Sequence, residues 1–319
     1  MAGTIINGAH LHGITLNDPK TENPAIIAVG GYVTNEGSAN NGTALLGTAA
    51  AAWTITNLGQ INGKSGSASD GIRLLAGGFV TNGASGSAAG LITANLYGIE
   101  IDGKRGTVVI HGAILGLGRN GEGVALKARG AVVSDGLIEG TANGVAIGGG
   151  AGSVANAGTI VSAAGNGVIL GSGGAVTNHG TIQGLASGTD ISGKAGAVTN
   201  SGVILATGGN GVGIRLKGGG TIVNEPGGGR ITAAGGARPA AAPAQAIEDR
   251  ERVGLAPHQL QYLAAEFLGL ARGPRRSNWA ARSTSGRSGA PAPGGGGRAG
   301  SSAQQHTGRS PLPQAQSAE

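Results

Sequence analysis

Val154-Ala-Asn156-Ala-Gly158-Thr-Ile160, Val176-Thr-Asn178-His-Gly180-Thr-Ile182 and Val198-Thr-Asn200-Ser-Gly202-Val-Ile204 are three copies of one phrase, spaced 22 residues apart. Looser copies begin at Val33, Ile55, Val80, Val108, Val132 and Ile222, giving nine anchors at intervals of 22 to 28 residues. A second phrase falls between them, as Gly71-Ile-Arg-Leu74, Gly123-Val-Ala-Leu126, Gly144-Val-Ala-Ile147, Gly167-Val-Ile-Leu170 and Gly213-Ile-Arg-Leu216. Each unit therefore holds two or three very short strands of alternating character, punctuated by Gly and Asn.

A strand that short cannot bury its own apolar face. Stacking equivalent strands about 4.8 Å apart pairs their backbones and piles the aliphatic side chains into columns. Alternation sends Val176, Asn178 and Ile182 to one side and Thr177, His179 and Gln183 to the other. The pattern predicts an all-β fold, a parallel β-helix of about nine coils and roughly 43 Å in length. Composition agrees. Of 319 residues 68 are Gly, and the aromatics are only two Trp, three Tyr and two Phe. Cores of ordinary α/β and all-α enzymes are built otherwise. Collagen is excluded because Gly does not recur at every third position and there are 11 Pro. With no Cys, disulfides, thiolate zinc sites, iron–sulfur clusters and cysteine nucleophiles are excluded too.

The recurring Asn forms an expected column of Asn35, Asn57, Asn82, Asn156, Asn178, Asn200 and Asn224. Asn tolerates the left-handed backbone that the following turn is expected to need, and its amide can bond to the next coil's Asn. An inward amide left unpaired would cost about 1–3 kcal/mol, so the column reads as a structural ladder before it reads as a ligand track. Ile110 and Ser134 interrupt it.

Residues 1–30, broken by Asn17-Asp18-Pro19 and Asn23-Pro24, read as an N-terminal cap or an irregular first coil, and 31–236 as the β-helix. From Ala237 the composition turns to Ala, Pro, Arg, Gly and Ser. Residues 237–272 hold one amphipathic stretch, Gln245 to Ala271, which reads as a helix capping the open end of the rod; 273–319 read as a disordered basic tail. Residues 1–236 carry 12 Lys+Arg against 11 Asp+Glu, whereas 237–319 carry 10 Arg, no Lys and 5 acids. The basic charge thus belongs to the tail, and with Trp279 the one aromatic beside Arg272, Arg275, Arg276 and Arg282 no specific nucleic-acid partner is expected. Cations that are all Arg, amid Ala, Pro and Gly, are also what GC-rich DNA read out of frame produces.

The chemical motifs are weak. Gly116-Leu-Gly118-Arg-Asn-Gly121 fits a dinucleotide fingerprint, and Gly59 to Ser65 approximates a phosphate loop, but neither leads into a helix in this pattern. His111 and His179 fall in one outward column three coils apart, about 14 Å, too far to share a metal. His10 and His12 share a strand face in the cap without a third ligand. Asp70 and Glu122 are expected to align with Asn143, Asn166 and Asn210 as turn chemistry. Glu100 and Asp102, near Lys104 and Arg105, form the densest charged spot and read as a solvated ion pair rather than a catalytic dyad. Thr34, Thr56, Thr81, Thr177 and Thr199 form an expected outward column that β-propensity explains. No catalytic residue, cofactor or metal ligand is expected.

The Val-x-Asn-x-Gly-x-Ile and Gly-Val-x-Leu units resemble the repeat regions of bacterial autotransporter passenger domains and haemagglutinin-like adhesins, across roughly residues 5–236. That resemblance implies a right-handed parallel β-helix displayed on, or released from, a Gram-negative cell. It further implies adhesion or spacing, with surface glycans or other cell-surface molecules as partners. The sequence shows no secretory signal, no transmembrane segment and no barrel, and the rod is expected to be monomeric or to associate end to end. The alternatives are a polysaccharide-active lyase or hydrolase on the same scaffold, or a truncated or frameshifted inactive fragment.

Overall fold

Strands of three to five residues leave their backbone groups unmet until an equivalent strand lies alongside, so coil-to-coil register follows from hydrogen bonding. The computed structural model describes residues 3–64, 66, 68–87 and 89–234. Among them are 29 short strands, and the only helical element is the single-turn 3-10 segment Ala39–Gly42. Every strand pairing is parallel, in three sheets of ten, ten and nine strands whose members alternate along the chain. The chain is a parallel β-helix. Nine complete three-strand coils run from 4–16 to 196–216, and the strands Gly220–Asn224 and Arg230–Ala233 follow. Residues 4–16 already form a coil, so the segment expected as a cap or irregular first coil contains one full turn of the β-helix. The capping helix proposed within 237–272 and the tail 273–319 lie outside the described residues.

The core is a set of columns. Val108, Val132, Val154, Val176 and Val198 stack in the first sheet, and Ile114, Ile138, Ile160, Ile182 and Ile204 in the second, all buried. The Gly of Asn-x-Gly is explained by closeness: a Cβ on Gly180 would strike the Gly158 carbonyl, and one on Gly202 the Gly180 carbonyl. Where the first sheet starts, Gly106, Gly130, Gly152 and Gly196 leave room for the aliphatic side chain that ends the third sheet, such as Leu126 against Gly130.

One coil inverts this arrangement. Trp53 stands in the glycine column and is wholly buried, its Nε1–H donating to the Thr48 carbonyl at 2.7 Å. Opposite it, Gly47 stands between Leu16 and Leu74 in the third-sheet column, and a Cβ there would lie 2.5 Å from Trp53 Cδ1. The narrow tube therefore accepts one large ring where the facing side chain is deleted.

The amide ladder forms with two corrections. First, Asn57 donates to Asn82, Asn156 to Asn178, Asn178 to Asn200 and Asn200 to Asn224, each Nδ2–Oδ1 distance being 2.7–2.8 Å. Asn35 is not a member. Val33 pairs with Ile61 in the second sheet, and Ile27 occupies the register position of Asn57. Asn35 instead ties down its own loop through the Ala39 and Thr43 carbonyls. Thr34 goes with it: aligned to Asn62 and buried, it lies outside the Thr column. Second, the ladder residues end strands in extended backbone, and the only described non-glycine residues at positive φ are Asn40 and Asn41. Asn is therefore selected for an inward amide, not for a left-handed turn. In the third sheet, Val212, not Asn210, aligns with Asn143 and Asn166 through Ser187, because Asn210 falls inside the loop 207–211, which is longer than 141–142, 163–165 and 185–186. The expected break holds, with Ile110 and Ser134 between Asn82 and Asn156.

Thr189 is fully buried in the column of Val145, Val168 and Ile214, and its hydroxyl finds no partner among the described residues. Thr189→Val restores the neighbours' shape and removes the orphaned hydroxyl. It is expected to raise unfolding free energy by about 1 kcal/mol, read by urea denaturation.

Candidate functional site

The outward positions distribute charge unevenly. The strands of the first sheet, from Thr4–Ile6 to Gly220–Asn224, contain no ionisable residue at all. The third sheet and the turn after it hold the main clusters, because its central outward position is Arg73, Glu100, Asp190 or Arg215 in four of the coils.

Glu100 is the centre of the larger cluster. Only 4% exposed, it faces Arg73 Nε at 2.9 Å through Oε2 and Lys127 Nζ at 3.6 Å through Oε1. Arg73 Nη2 also donates to Asp102 Oδ2 at 3.2 Å, and Lys127 Nζ lies 4.0 Å from the centre of the Tyr97 ring. The expected solvated pair with Lys104 and Arg105 is thus replaced by a network in which Glu100 is buried and Arg73, Lys127 and Asp102 stay partly exposed. Its cations come from the coils before and after, which stack in register, whereas Lys104 and Arg105 are exposed in the turn. Asp70, also buried, accepts from the Tyr97 backbone N–H at 3.3 Å. Tyr97, Glu122, Asn143 and Asn166 occupy successive register positions at the start of third-sheet strands, a strand column rather than turn chemistry, and Asp70, two residues before the strand Ile72–Leu74, joins it through the Tyr97 N–H.

Burial, reinforced by the Glu100 carboxylate, pushes the Asp70 carboxyl up to about 7, against the Tyr97 N–H, Arg73 and Lys127. Burial also raises Glu100, against the pull of Arg73 and Lys127. For Asp70 the folded value lies above the unfolded 3.8, so the native state binds more protons between them. Stability tied to this group is full below about 4 and is lost as pH rises to about 7. Asp70→Asn, which keeps the acceptor for Tyr97, is expected to match the parent at pH 4. By pH 8 it should exceed the parent by at least about 1 kcal/mol in urea unfolding.

A second cluster sets Asp190, 3% exposed, against Arg215 Nη1 at 3.3 Å and Lys217 Nζ at 3.0 Å. At the corner between the first two sheets, His111 Nδ1 lies 2.8 Å from Asp135 Oδ1 and His179 Nδ1 lies 2.6 Å from Ser201 Oγ. Each histidine is therefore held by the residue one coil further on. A shallow hollow with a mainly apolar lining, including Val133, Ala155 and Ala157, separates the two.

In comparisons with known proteins, no family model, curated protein or solved structure matches this chain. The chemistry must be read from the surface itself. Both oxygens of Glu100 face cations, and the four ladder pairs are internal, so neither group presents a free carboxylate or amide to a ligand. Among the described residues no three His, Cys, Asp or Glu side chains are placed to hold a metal ion. Gly116–Gly121 forms a turn between strands, and the segment from Gly59 leads through the strand Gln60–Gly63, so no helix N-terminus meets either glycine motif. No described helix is long and apolar enough to cross a membrane.

The network around Glu100 escaped the sequence reading. Its signal was available in the spacing: Arg73 and Glu100 are 27 residues apart and share one register position.

Proposed function

We propose that the protein is a non-enzymatic β-helical rod, an adhesin-like or spacer element displayed on or released from a Gram-negative cell. Its partners are surface glycans or other cell-surface molecules, bound shallowly through outward side chains repeated from coil to coil. Weak contacts of that kind gain strength by avidity. The observation that carries this reading is the exterior: outward positions stack in register along the sheets, and the chemically rich clusters are closed ion networks. The resemblance of the repeat to autotransporter passenger regions supports the location. Binding of the purified chain to a glycan array and to intact cells, free in solution and multimerised on beads, tests the proposal. Retention that rises steeply with multimerisation supports it; absence of binding in both formats counts against adhesion and leaves the spacer role.

The Asp70–Glu100 cluster favours one second reading, a polysaccharide-active enzyme, because a buried carboxyl near pH 7 suits proton transfer. Release of reducing ends or unsaturated products from a glycan panel, abolished by Asp70→Asn, would establish that reading and overturn the first.

A further inference from the structure

The outer face of the first sheet is a continuous surface of Thr, Val, Ala, Ser and Ile with a single aromatic, Phe79. Large apolar groups are left in solvent on it: Ile5 is 63% exposed, Val223 53%, Val133 47% and Phe79 40%. Depletion of charge with retention of apolar area marks the centre of protein interfaces rather than ordinary surface. The second sheet differs, since Glu139 and Arg230 project from it.

We infer that this face docks a second copy of the same chain, with the two rods antiparallel about a two-fold axis. A charged partner would find nothing here to pair with, whereas an identical uncharged face is its own complement. The size is adequate. Ten strands at about 4.8 Å, up to five residues or roughly 16 Å wide, give about 700 Å² per copy and about 1,400 Å² in total, a standard stable interface. Full overlap also fixes a register. With ten strands in the face, the fourth of one copy lies opposite the seventh of the other, so Phe79 meets the strand carrying Ser153 and Ala155. The bulkiest side chain of the face then sits over its smallest residues, at the ~10 Å spacing of packed sheets.

Sedimentation velocity of the full chain over a concentration series tests this. The parent is expected to be a dimer at micromolar concentration. Phe79→Glu and Ser153→Arg are each expected to raise the dissociation constant at least about thirtyfold. Both positions point outward, so thermal melts of the monomers should stay close to the parent's. An equimolar mixture of the two variants is expected to recover the dimer, because Glu then faces Arg on one side of the axis and Phe faces Ser on the other. A parent that remains monomeric at high micromolar concentration, variants that dimerise like the parent, or a mixture that stays monomeric would each overturn the inference. A monomeric parent that binds an arrayed glycan, and loses it on Phe79→Glu, assigns the face to a glycan instead and overturns it too.

Discussion

Trp53→Gly is expected to cost about 3–5 kcal/mol and Gly47→Leu about 1–3 kcal/mol, yet the double variant should recover most of both losses. The argument rests on volume in a closed tube. Elsewhere a first-sheet Gly faces a third-sheet aliphatic, as Gly130 faces Leu126 and Gly152 faces Ile147. At Trp53 and Gly47 the large and small partners are exchanged. Removing the indole alone leaves a cavity and deletes its bond to the Thr48 carbonyl; adding a Leu alone drives its side chain into the ring. Making both changes recreates the arrangement of the other coils. Urea unfolding of the four proteins in the cycle measures the coupling, and a coupling near zero would contradict the exchange.

Asn178→Ala is expected to cost about 3–5 kcal/mol, although Asn178 sits at a strand end. Its amide donates to the Gly180 carbonyl at 3.0 Å, the Val203 carbonyl at 3.1 Å and Asn200 Oδ1 at 2.8 Å, and it accepts from Asn156 at 2.8 Å. The substitution orphans these buried groups in two adjoining coils. The gap at Ser134 supplies the converse test, since the Ser134 hydroxyl and Asn156 Oδ1 are buried without partners. Ser134→Asn is expected to gain about 1 kcal/mol by donating to Asn156. A gain at Ser134 with no loss at Asn178 would mean that packing rather than the amide selects the residue.

Much of the architecture was legible because the 22-residue period and the inward position of Val176, Asn178 and Ile182 require nothing beyond alternation and backbone pairing. The errors have physical causes. Val33-Thr-Asn35-Glu-Gly37 copies the phrase but lies one strand late, because the second coil opens on Ala25–Ile27, which lacks it. Trp53 was invisible as a core residue because its space is created by a Gly 6 positions earlier, across a turn. The partners of Glu100 were misassigned because sequence proximity favoured Lys104 and Arg105, whereas stacking in register selects residues a whole coil away. Four Asn–Asn bonds form along the ladder, but the strand accommodates Asn without the left-handed residue expected there.

The central claim is that each 22-residue step advances the chain by one strand spacing along the rod. Because the chain has no Cys, Gln60→Cys can be paired in turn with Thr159→Cys, Thr181→Cys and Val203→Cys, and spin labels placed there without interference. Gln60 lies four, five and six strands from these positions in one outward column of the second sheet. Pulsed electron–electron resonance should give three distances rising in equal steps of about 4.8 Å, near 19, 24 and 29 Å before the label linkers are counted. Unequal steps, or distances that do not increase from one pair to the next, would contradict the stack.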